Sequence, residues 1–210
     1  MRNVLSAIGN TPLVELSRIV PQGSARVFMK LESANPTGSY KDRVALAMIE
    51  AAERRGDLRP GMRVVEYTGG STGSSLAMVC AVKGYEFIPV TSDAIAREKI
   101  ASMRAFGSTP VVLKSVGGKI TPELMNGMLA ETTRLANEPN TFYTDQFNNP
   151  DAPPGYSAFA NEILEQLGSA PSAFCGAVGS AGMLSGVSLA FRAAGANTRI
   201  VALERLKHRS

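Results

Sequence analysis

Short strand-like runs alternate with longer helix-like runs over almost the whole chain, and this order limits the possible folds more than any other feature. The strand-like runs are residues 26–31, 63–67, 86–90, 110–113, 141–143, 173–178 and 199–203. The helix-like runs are residues 40–55, 72–83, 94–106, 122–136, 156–167 and 183–194. Glycines follow most of these helical runs, as is typical of helix C-caps, at Gly56, Gly84, Gly107, Gly168 and Gly195.

The alternation predicts an α/β fold with three layers: open, mostly parallel sheets with helices on both faces. Strands joined through helices run parallel, and the crossover helices then cover the sheet. A chain of 210 residues can bury a hydrophobic core in one or two domains. Its 44% hydrophobic and 19% charged residues are ordinary values for a globular protein.

The net charge of +4 does not indicate a nucleic-acid partner. Arg205, Lys207 and Arg209 lie in the last six residues, and without them 19 basic residues face 18 acidic ones. A nucleic-acid surface also needs clustered basic residues interleaved with aromatic ones, and the rest of the sequence has no such cluster. We therefore expect no nucleic-acid partner.

The sequence also predicts no membrane association and no secretion. The longest apolar run in the middle, residues 76–82, ends at Lys83 and is far too short to cross a bilayer. The N-terminus lacks the apolar centre of a signal peptide. Cys80 and Cys175 lie in apolar runs without metal-like spacing, which predicts packing residues in a reducing, cytoplasmic compartment.

The segment Asn35–Arg43 places a lysine directly after a turn-forming run and at the start of a helix-like run. Ser39 is the predicted helix N-cap, and Asp42 lies at the capping-box position. Lys41 then lies near the positive end of the helix dipole, where its amine deprotonates more easily. A neutral amine forms a Schiff base with a carbonyl cofactor. The alternative is an ordinary capped helix with a solvated lysine.

Three further segments accompany this motif in a fixed order. They are residues 8–14 (IGNTPLV), 66–73 (EYTGGSTG) and 176–183 (GAVGSAGM). In this order and spacing the four segments resemble the fold-type-II pyridoxal-phosphate (PLP) enzymes, the tryptophan-synthase-β-like family, and among these the cysteine synthases. The resemblance extends from about Ile8 to Glu204.

The resemblance implies PLP as the cofactor and a small amino acid as the substrate, with no metal. It implies a partial large PLP-binding domain of residues 1–41 and 146–210, and a small domain of residues 42–145. Lys41 would hold PLP through a Schiff base and then remove the substrate's α-proton. Because the only histidine is His208, Ser–His and His–metal mechanisms lack a partner.

The resemblance assigns two loops and one glutamine to the site. The cofactor-binding residues would be Lys41, Ser71, Gly179, Ser180, Ala181, Gly182 and Met183. The substrate-binding residues would be Thr68, Gly69, Gly70, Ser71, Thr72 and Gln146. Each loop joins a strand to a helix, where backbone N–H groups can hold an anion. The alternatives are a tight βα turn, a small-residue turn that lets the helix pack closely on the sheet, and, for Gln146, a surface amide.

The sequence departs from the family pattern in three places. Ser71 stands where the family has an asparagine that contacts the cofactor's ring hydroxyl. Met183 stands where it has a second phosphate-binding threonine, and Ala181 replaces a glycine, so we expect a negative φ there. Residues 205–210 look like an unrelated ending, and the family's later residues would complete the large-domain sheet and contact the pyridine nitrogen.

The function implied is β-replacement on an activated serine, O-acetylserine or O-phosphoserine, with a sulfur nucleophile. One alternative is a PLP lyase or dehydratase of the same fold, which releases pyruvate and ammonia. A second is a catalytically inactive fragment that binds PLP weakly or binds only a partner chain. Members of the family form homodimers, and this implies a homodimer for the full-length form.

Overall fold

The computed structural model describes residues 3–204 and has the predicted α/β architecture. The strands are β1 (Leu13–Glu15), β2 (Phe28–Lys30), β3 (Arg63–Tyr67), β4 (Glu86–Ser92), β5 (Val111–Leu113), β6 (Thr141–Tyr143), β7 (Ala173–Ala177) and β8 (Arg199–Leu203). The helices are α1 (Lys41–Arg55), α2 (Ser71–Lys83), α3 (Arg97–Ala105), α4 (Pro122–Ala136), α5 (Ser157–Leu167) and α6 (Gly182–Ala193). Within residues 3–204, no helix is both long and apolar enough to cross a bilayer.

The described strands form three sheets, and most of their pairings are parallel. The largest sheet has four parallel strands in the order β5-β4-β3-β6. A second sheet pairs β7 with β8 in parallel, and a third pairs β1 with β2 antiparallel. The prediction of mostly parallel sheets is confirmed, although β1 was not predicted.

Helices cover both faces of the four-stranded sheet, as the three-layer prediction requires. Val64 points to one face and packs into a cluster with residues of α1 and α2, whereas Val65 points to the other face and packs against Leu124 and Met128 of α4. Successive strand residues face opposite sides of a sheet, and both sides are buried here. The centres of β3 and β4 are accordingly buried on both faces.

The element boundaries follow the predictions closely, with α3 the largest exception. β3, β6, β8 and α4 have the predicted bounds, but α3 begins at Arg97 instead of residue 94. The N–H of Ala94 bonds to the Ser92 hydroxyl at 3.1 Å, and the N–H of Ile95 bonds to the Ser92 carbonyl at 3.1 Å. A serine-centred turn therefore replaces the first predicted turn of α3.

The predicted division into two domains stays a prediction. The four-stranded sheet lies within residues 42–145 and the two smaller sheets lie outside that range. The larger hydrophobic cluster crosses the division, since Val44 and Leu76 belong to the same cluster as Tyr156 and Phe191. The predicted unrelated ending, residues 205–210, lies outside the described residues.

The prediction that both cysteines are packing residues is correct for Cys80 and wrong for Cys175. Cys80 is fully buried in α2, but Cys175 is exposed, and both are free thiols. Phe174 and Gly176, the neighbours of Cys175 in β7, turn towards α5 and α6. Cys175 therefore points to the opposite face of β7, which no described residue covers.

Candidate active site

Lys41 is the first residue of α1, and its side chain is buried. Burial lowers the pKa of its amine, and this effect exceeds the opposing attraction of the Glu66 carboxylate. The helix N-terminus acts in the same direction as burial, since it disfavours a cation. The Nζ atom lies 5.0 Å from the centre of the Tyr40 ring. Lys41 is thus a buried amine that loses its proton more readily than a surface lysine.

The start of α1 differs from the predicted capping box. Tyr40, with φ −61° and ψ −13°, occupies the N-cap position without a capping side chain, whereas Ser39 accepts a hydrogen bond from the Lys41 N–H at 3.1 Å. Asp42 accepts bonds from the Thr37 N–H at 2.8 Å and from the Thr37 hydroxyl, instead of closing a box with Ser39. The prediction was wrong because the turn extends one residue further before α1 begins.

The loop between β3 and α2 presents unpaired backbone donors. The Thr68 hydroxyl oxygen accepts bonds from the N–H groups of Gly70, at 3.2 Å, and Gly73, at 3.1 Å. The N–H groups of Ser71 and Thr72 have no partner among the described residues. Because these donors lie at a helix N-terminus, they can hold an anion such as a carboxylate.

Gln146 is buried, so the alternative of a surface amide is wrong. Its Oε1 accepts a bond from the Thr72 hydroxyl at 2.8 Å, and its Nε2 donates to the Tyr67 carbonyl at 3.3 Å. These bonds fix the amide beside the loop between β3 and α2. Thr72 and Gln146, both predicted as substrate-binding residues, therefore lie together although they are far apart in sequence.

Glu66 lies beneath the cleft in contact with site residues, and no role was predicted for it. Its Oε2 accepts bonds from the Thr144 hydroxyl at 2.6 Å and the Gln146 N–H at 3.0 Å, while Oε1 has no partner. Burial raises the pKa of this carboxyl to about 7. Below that pH the protonated Glu66 attracts Lys41 less, which leaves burial to dominate the lysine's pKa. The available signal in the sequence was a glutamate within the strand-like run 63–67, two residues before Thr68.

The loop between β7 and α6 contains a strained alanine. Ala181 precedes the first residue of α6 with φ +60°, so the expectation of a negative φ was wrong. The chain reverses sharply from strand to helix here, and an alanine in the left-handed region costs roughly 1–2 kcal/mol. The first intrahelical bond of α6 runs from the Ser185 N–H to the Ala181 carbonyl. The N–H groups of the residues before Ser185 at this helix N-terminus are therefore free to bind an anion.

Met183 contributes only its backbone to this loop. Its side chain is buried, with Cε only 2.5 Å from where a Cβ on Gly176 would lie. The thioether thus packs onto β7. The close approach of α6 to the sheet agrees with the small-residue-turn alternative, and it leaves the backbone donors of the turn in place, so the predicted binding role stays a prediction.

A single cleft of about 440 Å³ brings most of the predicted residues together. The predicted residues that line it are Lys41, Thr68, Gly69, Gly70, Ser71, Thr72, Gln146, Gly179 and Ser180. Ala181, Gly182 and Met183 continue the same turn but do not line the cleft. Tyr40 and Phe147 line it and were missed, although each directly adjoins a predicted residue in sequence.

A buried ionic cluster explains the first of the four motifs. Arg43 contacts Glu32 at 2.8 Å and Glu162 at 2.7 Å, and Lys30 contacts Glu162 at 2.6 Å. Burial alone would raise the pKa of Glu162, but its hydrogen bonds to Arg43 and Lys30 lower it to about 2. Glu162 also accepts a bond from the Asn10 N–H at 2.9 Å. Residues 8–14 therefore anchor the chain near α1 and α5, outside the cleft.

Comparisons with known proteins agree with this geometry. Cysteine synthase B from Escherichia coli is 38% identical over 205 residues, which cover 97% of this chain and 66% of that protein. The crystal structure of O-ureido-L-serine synthase is 37% identical with a TM-score of 0.87, and the match covers 97% of this chain and 63% of that one. A hydrogen sulfide-producing enzyme from Fusobacterium nucleatum is 33% identical with a TM-score of 0.88, covering 100% and 68%.

This chain therefore spans about two thirds of the length of such relatives. A family model described as pyridoxal-phosphate dependent enzyme matches residues 4–207, which is nearly the whole chain. The fold of the structural neighbours, the order of the motifs and the lysine in the cleft all agree with that match. The chain belongs to the pyridoxal-phosphate dependent enzyme family.

Proposed function

We propose that the protein catalyses β-replacement on an O-activated serine, with a sulfur nucleophile that displaces the activating group. The observation that carries this proposal is the cleft itself, where a buried lysine of lowered pKa faces two helix N-terminal loops. One loop suits the substrate carboxylate and the other suits the cofactor phosphate. The printed names of the relatives, cysteine synthase B and O-ureido-L-serine synthase, support a serine-derived substrate.

The cleft fits PLP in its chemistry and its size. Its volume of about 440 Å³ lies in the range of cofactor pockets. Lys41 offers a readily neutral amine for the cofactor carbonyl, and the turn of residues 179–183 offers backbone donors for a phosphate. When bound, PLP supplies an electron sink for the bonds that break at the substrate's α-carbon.

Residues of the cleft would perform proton transfer, carboxylate binding and the exclusion of water. With PLP bound, the Nζ atom of Lys41 would take the α-proton from the substrate. The Ser71 and Thr72 N–H groups hold the substrate carboxylate, and Gln146 fixes the Thr72 hydroxyl beside it. Tyr40 and Phe147 line the cleft with aromatic rings that limit the entry of water.

A cation, Lys99, lies close to Ser71, and the family resemblance does not imply it. The Lys99 Nζ lies 3.4 Å from the Ser71 hydroxyl oxygen at the exposed side of the cleft. A positive charge here adds to the attraction of the loop for an anionic substrate. The cation therefore favours O-phosphoserine over O-acetylserine in relative terms.

The reaction type is tested by product analysis with the purified chain and added PLP. O-Acetylserine or O-phosphoserine with sulfide should yield cysteine, and Lys41→Ala should yield none under the same conditions. Pyruvate formed equally fast without sulfide would support the lyase alternative, which the hydrogen sulfide-producing relative favours. The absence of both products, with PLP bound, would leave the catalytically inactive reading and overturn β-replacement for this chain.

We further propose a cytoplasmic location and a homodimer for the full-length form. The two cysteines are free, and an exposed thiol at Cys175 suits a reducing compartment. The homodimer rests on the family resemblance alone, and sedimentation analysis of the full-length form tests it. A monomer at micromolar concentration would contradict it.

A further inference from the structure

A second cavity of about 300 Å³ adjoins the cleft. Thr68, Gly69, Gln146 and Phe147 line both spaces and form their common wall. The far side of the second cavity is formed mainly by apolar side chains, which are Ile95, Ile120, Leu124, Met125 and Met128. A molecule in this cavity would lie against the same residues that border the proposed reaction site.

The cavity offers little to a charged ligand. No charged side chain lines it in the described part of the chain. The polar side chains of the common wall are already engaged, since Thr68 accepts two backbone bonds and Gln146 bonds with Thr72 and the Tyr67 carbonyl. An amino-acid carboxylate or ammonium group would lose its hydration here without compensation.

The cavity offers much more to an apolar ring. Tyr67 and Phe147 stack with their centroids 5.4 Å apart and both line it. Phe147 is 48% exposed and Ile120 is 58% exposed, which leaves an apolar rim open to solvent. Apolar cavities of roughly 150 Å³ already bind benzene, so this one has room for a substituted ring.

We infer that this cavity binds the carbon body of an aromatic or alkyl thiol, which serves as the second substrate of the proposed β-replacement. This inference rests on the proposed function. The amino-acid substrate needs the unpaired N–H donors of the cleft, whereas a thiol needs only an apolar surface beside the reacting carbon. The thiolate sulfur then forms the new bond to the β-carbon, the activating group leaves with the electron pair of its C–O bond, and the thiol proton goes to solvent.

The test is a binding measurement that needs neither PLP nor turnover. Phenylmethanethiol is titrated into the chain, and binding is followed by saturation-transfer NMR. Ile120→Glu and Met125→Glu each place a carboxylate at the rim and should weaken binding at least tenfold. Val116→Glu adds the same charge to the segment that precedes Ile120, at a site that is 85% exposed and outside the cavity, and should bind like the original chain.

Thermal unfolding of each variant checks that the fold is intact. No binding by the original chain at millimolar thiol, or equal binding by both rim variants, would overturn the inference. Failure of the proposed function is a separate result, because loss of PLP attachment at Lys41 leaves thiol binding measurable. Conversely, sulfide turnover without thiol binding would refute the thiol cavity and leave β-replacement standing.

Discussion

The segments β3–α2 and β7–α6 share one strand–turn–helix topology, yet the first is enclosed and the second is open. In β3 the three central residues are buried, and α2 contains a continuous buried run from Thr72 to Cys80. In β7 only Gly176 is buried, and Leu203 of its partner β8 is 52% exposed. Residues of both turns nevertheless line the same cleft, Gly69–Thr72 after β3 and Gly179 and Ser180 after β7.

Turn geometry and burial have separate causes in these two segments. Each turn is set by its own small residues, glycines after β3 and a glycine with a left-handed alanine after β7. Burial depends on neighbours, since β3 lies between two strands while β7 pairs only with β8 among the strands of residues 3–204. A turn with free backbone donors can therefore form in a region that is only half covered.

The largest expected contrast is the reactivity of the two cysteines. Cys80 in the enclosed segment is fully buried, and burial raises the pKa of its thiol, whereas Cys175 in the open segment is exposed. For a stability of at least about 5 kcal/mol, Cys80 should react more than about a thousandfold slower. Thiol labelling with mass spectrometry measures both rates, with Cys175→Ser as the control. Equal rates would show that the enclosed segment is not packed.

The next largest effect concerns how the open segment is attached. A Cβ on Gly186 of α6 would lie 2.0 Å from the Pro153 carbonyl oxygen, which belongs to backbone and cannot move aside. Gly186→Ala should therefore lower the free energy of unfolding by at least about 3 kcal/mol.

Gly127→Ala is the matched control, because its Cβ would meet only the Leu113 side chain at 3.4 Å. It lies inside α4, and alanine there should stabilise the helix by up to about 1 kcal/mol. Urea unfolding measures both changes. A mild effect of Gly186→Ala would mean that α6 does not pack closely on the segment after Asn149.

The pH dependence of stability tests the enclosed segment at Glu66. Its native pKa of about 7 exceeds the ordinary value of 4.5, so the folded chain holds this proton more tightly than the unfolded chain. The stability from this group is complete below pH 4.5 and declines as the pH rises through 7, by roughly 3 kcal/mol in total. Glu66→Gln mimics the protonated form and should remove that decline.

Urea unfolding at pH 5 and pH 8 measures this effect. Glu162, with a pKa of about 2, titrates below this interval and does not obscure it. If the free energy of unfolding changed equally between pH 5 and pH 8 in Glu66→Gln and in the original chain, Glu66 would be ionised over this whole interval. Glu66 would then stabilise the charged form of Lys41 at neutral pH.

The smallest expected effect is at the strained turn of the open segment. Ala181→Gly removes a left-handed alanine at the cost of a more flexible unfolded chain, so a net gain of up to about 1 kcal/mol is expected. Ala202→Gly, in β8 with an ordinary φ, should instead lose about 0.5–1 kcal/mol. Thermal unfolding compares the two. A loss in both variants would mean that the strain at Ala181 is absent.

Most of the fold could be predicted from the sequence, because its signals are local. Helix α4 has Thr121 as its N-cap and Pro122 at its first position, and its predicted bounds match. The contacts within the candidate site were harder to predict, because contacts between distant segments leave no local pattern in the sequence. Nothing in the sequence near residue 146 indicates that Thr72 holds the amide of Gln146. The exposure of Cys175 likewise depends on what covers β7, which an apolar run does not reveal.

The left-handed Ala181 was mispredicted for a related reason. Glycine is the usual residue at positive φ, so its replacement by alanine indicated a negative φ. Ala181 nevertheless has a left-handed conformation, because packing of β7 and of α6 fixes both ends of the turn between them. Local preference of roughly 1 kcal/mol does not outweigh the packing of a whole helix.

The proposed function depends on Lys41 as the residue that carries the cofactor, in the cleft that both turns border. Borohydride reduction of the chain with PLP, followed by peptide mapping, should place the pyridoxyl group on Lys41 and not on Lys30 or Lys99. Lys41→Ala should abolish the label without altering thermal unfolding of the chain lacking PLP by more than a few degrees. Label on another lysine, or no label at saturating PLP, would contradict the account.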